Sequence, residues 1–260
     1  MDTLHRVLSI LSDKDQYNVY NLNNNDLYEY AIVFTVILLI YCVASYALMS
    51  DNKKRLAWMV SLVNSFLLSI IGIVYIINKS SYVLDTIQAT VKYDYRHVGR
   101  PIYHDKDNVS VIVCLWFAIA NIIDLIFGFI FYQKEQGLIT SYIHHTIFIW
   151  IMFTCTTGNG IFLKCTPFAP AFLFMCIEEI PTFLLALGSV IPSLRTDIGF
   201  GFSFFIFRIL YHILFFVYAI YVKADAVVCF LYLLTLLMHI NWFSSWVTKY
   251  GKKIIGKKKK

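Results

Sequence analysis

Charge is what this chain lacks most. Of 260 residues only 15% are Asp, Glu, Lys or Arg, against about 25% in an ordinary soluble domain. Hydrophobic residues reach 59%, where about 45–50% is usual. A soluble molecule with these proportions would expose large apolar patches, so the shortage of charge excludes a typical soluble domain. The six cysteines (Cys42, Cys114, Cys155, Cys165, Cys176 and Cys229) form no C-x-x-C pair, which excludes the common zinc and dithiol redox motifs. They read as small apolar residues within helices. The apolar patch from Val7 to Leu11 is too short to be the core of a signal peptide, so the first long apolar run must act as its own insertion signal. No internal repeat is visible, and a repeat-built transporter is not suggested. Basic charge is also scarce outside the end of the chain. The net charge of +6 is matched by the six lysines of the tail GKKIIGKKKK alone, so it implies no nucleic-acid partner.

Long apolar runs are present instead. Seven approach the roughly 20 residues that a helix needs to cross hydrocarbon: Tyr30–Met49, Ala57–Ile77, Val109–Tyr132, Leu138–Thr156, Phe168–Ile191, Phe202–Val222 and Ala226–Val247. The expected fold is all-α, a polytopic transmembrane bundle of about seven spans. Residues 1–29 are polar and Asn-rich and read as a mobile segment, with a short helix near Leu4 to Leu11. Residues 30–49 form the first transmembrane helix, and 251–260 a basic tail. Pro181 should kink the fifth run. The Tyr-rich segment between Asn78 and Asn108 is long enough to cap the bundle.

Lys and Arg give the orientation. Lys53, Lys54, Arg55, Lys134, Arg195 and the tail fall on one side, which is expected to be cytosolic; the N-terminus is then lumenal. A tail ending in four lysines fits a dilysine retrieval signal of the endoplasmic reticulum and an anchor on anionic lipid. The sequons Asn78-Lys-Ser and Asn108-Val-Ser would then be lumenal, close to the membrane.

Five ionisable residues interrupt these runs: Asp124, His144, His145, Glu179 and Arg208. Each would cost roughly 2.5–3.5 kcal/mol at the centre of a lone helix, so each needs a partner or a wet cavity. At 1.5 Å per residue they lie roughly 9–18 Å from the expected cytosolic end, as do Asn64, His239 and Asn241. This shared depth points to one polar chamber. Asp124 and the histidine pair flank a tight hairpin (QKEQG), so a carboxylate–imidazole contact is easy, and such a histidine can serve as general base or nucleophile. Adjacent histidines point about 100° apart, so only one aims straight at a given centre. Glu179 with Arg208 reads either as ligand-binding or as a structural ion pair. Arg208 and His212 sit one turn apart, and Glu178 is expected to point away from Glu179.

In order and spacing these residues resemble the TLC-domain family, which includes the ceramide synthases and several non-synthase lipid-associated proteins. The segments that carry the likeness are LAWMVSLVNSFLLSIIGIVYI (56–76), NIIDLIFGFIF (121–131), YIHHTIFIWI (142–151), CIEEIPTFLLALG (176–188), FFIFRILYHI (204–213) and MHINWFSSW (238–246). The resemblance implies a six-helix domain over 53–250, a role in lipid metabolism, and His144, His145 and Asp124 in the catalytic positions. Glu179, Arg208, His239, Asn241 and Asn64 would bind substrate. Two departures stand out. Asn64 occupies the place of a histidine frequent in the opening span, and the second acidic cluster of ceramide synthases (His-Asp-x-Ser-Asp) is missing. The chain is thus closer to the non-synthase members. The expectation is lipid binding or membrane lipid homeostasis without cofactor or metal. The alternative is acyl transfer from acyl-CoA to a sphingoid base, with acyl-CoA as co-substrate. The expected partner is a membrane lipid, with a homo-oligomer left open.

Overall fold

The computed structural model describes residues 2–13, 19–79, 106–159 and 164–256. Most of the segment expected to cap the bundle, and the four terminal lysines Lys257–Lys260, lie outside the described residues. Among the described residues the chain is helical, and its one β contact is an isolated bridge between Asn159 and Lys164.

A short helix, α1 (Asp2–Ser12), precedes the first span, α2 (Asn24–Met49). Helix α3 (Lys53–Asn78) is broken by a turn at Ala57 and Trp58, and α4 covers Asn108–Phe131. Helix α5 (His144–Thr157) is entered through a π-helical segment, Leu138–Ile143. Helix α6 (Ala169–Val190) is interrupted by a 3-10 turn at Cys176–Glu178. Helix α7 (Asp197–Tyr221) carries a π-helical stretch, Phe205–Tyr211, and α8 covers Ala226–Gly256.

Six of these, α2, α3, α4, α6, α7 and α8, are long and apolar enough to cross a membrane. Their outward residues are apolar, among them Leu48, Ile77, Phe129 and Leu214. In water that surface would be a liability; in lipid it is the expected exterior, and the chain is an integral multi-pass membrane protein. The fourth expected run is built differently. Its α-helical part, α5, has only 14 residues, about 21 Å of rise, so the π-helical entry must supply the remaining length.

The expected boundary at residue 30 moves. The first span starts at Asn24, because Asn23 and Asp26 form a reciprocal capping box that satisfies the free amides there. The preceding described residues are not a loose polar segment either. Helix α1 packs Val7 against the bundle and is tied to α2 by an Arg6–Asp26 ion pair of 2.6 Å. Residues 19–21 are stapled to the start of α4. The Asn108 amide donates to the Val19 carbonyl, and the Asn21 and Asn108 side chains bond each other at 2.7 Å.

Helix α4 is the central element: 67% of its most apolar window is buried, against 22% for the peripheral α2. Helix α6 runs along α3. Gly72 makes this approach possible, since a Cβ there would come within 2.9 Å of the Cys176 Cβ and 3.1 Å of the Ile177 amide nitrogen. The half of the bundle near the start of α4 is packed with apolar residues such as Tyr75, Val109, Phe168 and Phe174. Polar groups gather towards the other end.

Candidate functional site

Three of the five helices that carry ionisable groups into the bundle depart from regular α-helix where those groups lie. Pro181 has no amide to give the carbonyl four residues back, and α6 turns through a 3-10 segment just before Glu179. Arg208 sits inside the π-helical stretch of α7, and His144 follows the one that leads into α5. Such bulges re-aim side chains and recur at functional sites. The regular exceptions are α4, which presents Asp124, and α8, which presents His239.

Arg208 is 5% exposed and fully engaged. Its guanidinium donates to the Glu178 carbonyl (2.8 Å), the Glu179 carboxylate (2.8 Å) and the Thr182 hydroxyl (2.7 Å), and faces Nε2 of His239 at 3.3 Å. The carbonyl it reaches lies in the distorted turn of α6, so the arginine supplies a donor where the helix is irregular. One side chain of α7 therefore ties α6 and α8 together.

Behind it lie Glu178, His212 and His239, all buried. His212 Nδ1 is 2.8 Å from Glu178 Oε1, while its Nε2 faces the Tyr232 carbonyl at 2.9 Å. His239 Nδ1 donates to the Arg208 carbonyl at 3.1 Å, which leaves the Nε2 lone pair for the guanidinium. Glu178, His212 and His239 have ligand atoms within 4.8 Å of one another, the spacing of a metal triad. The fit is poor, because His239 Nε2 accepts from a cation and His212 is held at both nitrogens. These contacts instead tie α6, α7 and α8 to one another.

The second group is centred on Asp124, 5% exposed. The Tyr132 hydroxyl donates to one carboxylate oxygen, and the other lies 3.6 Å from His145 Nδ1. That separation is ion-pair range but beyond hydrogen-bond contact. Gln136 donates to the Asp124 backbone carbonyl at 3.2 Å. Nδ1 of both His144 and His145 is buried without a hydrogen-bond partner among the described residues. His144 packs edge-on against Phe148 and Trp242.

Both histidines border a cavity of about 310 Å³ lined by residues of α3 to α8. Its polar lining comes from Ser61, Asn64, Asn121, His144, His145, Glu179, Thr182 and Arg208, and its apolar lining includes Trp58, Phe117, Phe204 and Trp242. Asp124 stands behind His145 and does not line the cavity. A smaller cavity of about 70 Å³, mostly apolar, lies on the far side of Glu179 and Arg208, with Glu178, His212 and His239 on its wall.

Of the residues singled out from sequence, His144, His145, Glu179, Arg208 and Asn64 line the larger cavity. Asn64 Oδ1 also accepts from the Trp116 indole at 3.0 Å. His239 belongs to the buried network instead. Asn241 does not join either group: it is exposed on the outer side of α8, two residues out of phase with His239, and Trp242 faces the cavity in its place. Glu178 does not point away from the site, contrary to expectation. It is 6% exposed and holds His212, because the 3-10 turn brings both glutamates inwards. Tyr132, Asn121 and Thr182 were missed. Asn121 and Thr182 carried a signal, each three residues from an ionisable partner on the same helix. No protein-family model, curated protein or solved structure matches this chain.

Proposed function

We propose that this membrane protein binds the polar head of a membrane lipid in the cavity bordered by His144, His145, Glu179 and Arg208, as a TLC-like, non-synthase member concerned with lipid binding or membrane lipid homeostasis. One observation carries the reading: a cavity of about 310 Å³ inside an apolar bundle, with a cluster of polar side chains on a largely apolar wall. That volume gives room for a polar head group. Ser61, Asn64, Asn121 and Thr182 offer neutral hydrogen bonds, and the rings of His144 and His145 border the same chamber. Arg208, with its four protein contacts, acts as the rigid wall of the site.

The Asp124–His145 contact favours a second reading, acyl transfer to a lipid amine. His145 would take the amine proton as nitrogen attacks the thioester carbonyl of acyl-CoA, and CoA would leave as the thiol. Asp124, oriented by Tyr132, would stabilise the imidazolium. Lys53, Lys54 and Arg55 stand at the end of the bundle near the Trp58 side of the chamber, suited to the phosphates of CoA. The same basic loop, with Lys134 and Arg195 at that end, supports a cytosolic C-terminus; residence in the endoplasmic reticulum rests on the terminal lysines.

The experiment is mass spectrometry of lipids retained by the purified protein, alongside turnover assays with acyl-CoA and long-chain bases. Lipid binding predicts a retained lipid that is lost in Ser61→Phe, which fills the chamber, and no turnover. Acyl transfer predicts turnover that is lost in His145→Ala. An intact Ser61→Phe variant that retains the same lipid, with no turnover in the parent, sinks both.

A further inference from the structure

The chamber has hydrogen bonds to give but no charge to spare. Arg208 and Glu179 both line it, and they meet each other at 2.8 Å, so each charge is already matched. The guanidinium is further held by the Glu178 carbonyl, Thr182 and His239. An unpaired charge is costly inside hydrocarbon, so Asp124 and His145, 3.6 Å apart, share one proton and add no net charge wherever it sits. His144 packs against Phe148 and Trp242 and joins no ion pair among the described residues, so it counts as a neutral imidazole. Lys53, Lys54 and Arg55 do not line the chamber.

Two amides supply recognition instead. Asn64 and Asn121 are 8% and 4% exposed, and both line the chamber. The orientation of each is set by its protein partner. The Trp116 indole can only donate, so the Asn64 oxygen faces it, and the Asn64 NH2 is left without a partner among the described residues. The Phe117 carbonyl can only accept, so the Asn121 NH2 faces it at 2.7 Å, and the Asn121 oxygen is left. The Ser61 hydroxyl, which can both donate and accept, completes the set.

We infer that the occupant of the chamber is an uncharged, hydroxyl-bearing head group, such as that of a glycerol monoester, which accepts from the Asn64 amide and donates to the Asn121 carbonyl. The inference rests on the lipid-binding reading and narrows it. A phosphate would find no unmatched cation on this wall, and an ammonium no unmatched carboxylate.

The test uses the full chain in phosphatidylcholine nanodiscs and three photoreactive probes. The probes share one diazirine-bearing alkyl chain and end in glycerol, glycerol phosphate or a primary amine. The signal is the adduct yield, at equal probe content, that Ser61→Phe abolishes. The glycerol probe should label at least about tenfold more than either ion. Asn64→Asp keeps the oxygen that accepts from Trp116 but loses the donor, and should cut labelling by the glycerol probe about tenfold. Equal or stronger labelling by the phosphate probe would overturn the inference and leave lipid binding standing. Equal or stronger labelling by the amine would overturn it in favour of acyl transfer. Unchanged labelling in Asn64→Asp would overturn it as well. Free glycerol that competes as well as monooleoylglycerol would make the occupant a soluble polyol and overturn both readings. The absence of a chamber adduct from any probe would sink the lipid-binding reading itself.

Discussion

Replacing Arg208 by Met removes the side chain that joins α6, α7 and α8. The substitution keeps length and apolar volume but strands the Glu179 carboxylate, the Thr182 hydroxyl, the Glu178 carbonyl and His239 Nε2. Interhelical hydrogen bonds inside membranes average about 0.6 kcal/mol, so the four contacts alone give about 2.5 kcal/mol. Leaving a buried carboxylate without its partner raises the cost towards about 3–5 kcal/mol. At about 2–4 °C per kcal/mol, thermal unfolding in mild detergent should shift down by about 5–20 °C. Arg208→Lys should recover only part of this, because an ammonium cannot fork between Glu179, Thr182 and a carbonyl. Adding Glu179→Gln to Arg208→Met removes the stranded charge, and the double variant should be more stable than the sum of the singles by about 1–3 kcal/mol. An Arg208→Met protein within about 1 kcal/mol of the parent, or a strictly additive double variant, would refute the claim that this pair ties the helices together.

Asp107→Asn should cost less than about 1 kcal/mol at neutral pH, since Asn caps a helix as well as Asp does. Burial raises the Asp107 carboxyl above its ordinary value, opposed by its bonds from Ser110 and Tyr75. Its stabilising contribution is then full below the unfolded pKa near 4 and is lost as pH rises through the folded value, so the cost of the Asn variant in pH-dependent melts should shrink with rising pH. Asn108 is completely buried and bonded to Asn21, so its sequon should stay unmodified whatever the orientation; a glycosidase-sensitive band shift that disappears in Asn108→Gln would show otherwise. Gly201→Ala should lower the melting temperature by the equivalent of about 1–3 kcal/mol, because the new methyl would overlap the rigid Trp246 ring. Gly128→Ala should cost less, since the end of the Gln136 side chain that it meets can swing away.

The site is legible from sequence in depth but not in direction. The cost of burying charge in hydrocarbon is independent of tertiary detail, so residues such as Glu179 and Arg208 announce a polar interior in any all-α arrangement. Direction within a span is harder to read, because α8 and α6 are apolar on every side and show no strong polar face. Asn241 and Trp242 are equally eligible until the rotation of α8 is known. A regular helix would send Glu178 and Glu179 to different sides, but next to Pro181 a 3-10 turn replaces it and both face inwards. The start of the first span is hidden for a related reason: the capping box of Asn23 and Asp26 is local, but the Arg6 contact that anchors α1 beside it is not.

Hydropathy and chain length by themselves determined that this protein is a helical multi-pass membrane protein with ionisable groups inside its apolar spans, because every buried backbone group must be satisfied and unpaired charge is expelled from lipid. Only the tertiary structure decided which of those groups meet. The 3-10 turn in α6 and the π-helical segments of α5 and α7 rotate side chains by amounts that follow from packing against neighbouring helices. Those rotations place Asp124 behind His145, lock Arg208 among α6, α7 and α8, and leave the chamber between them.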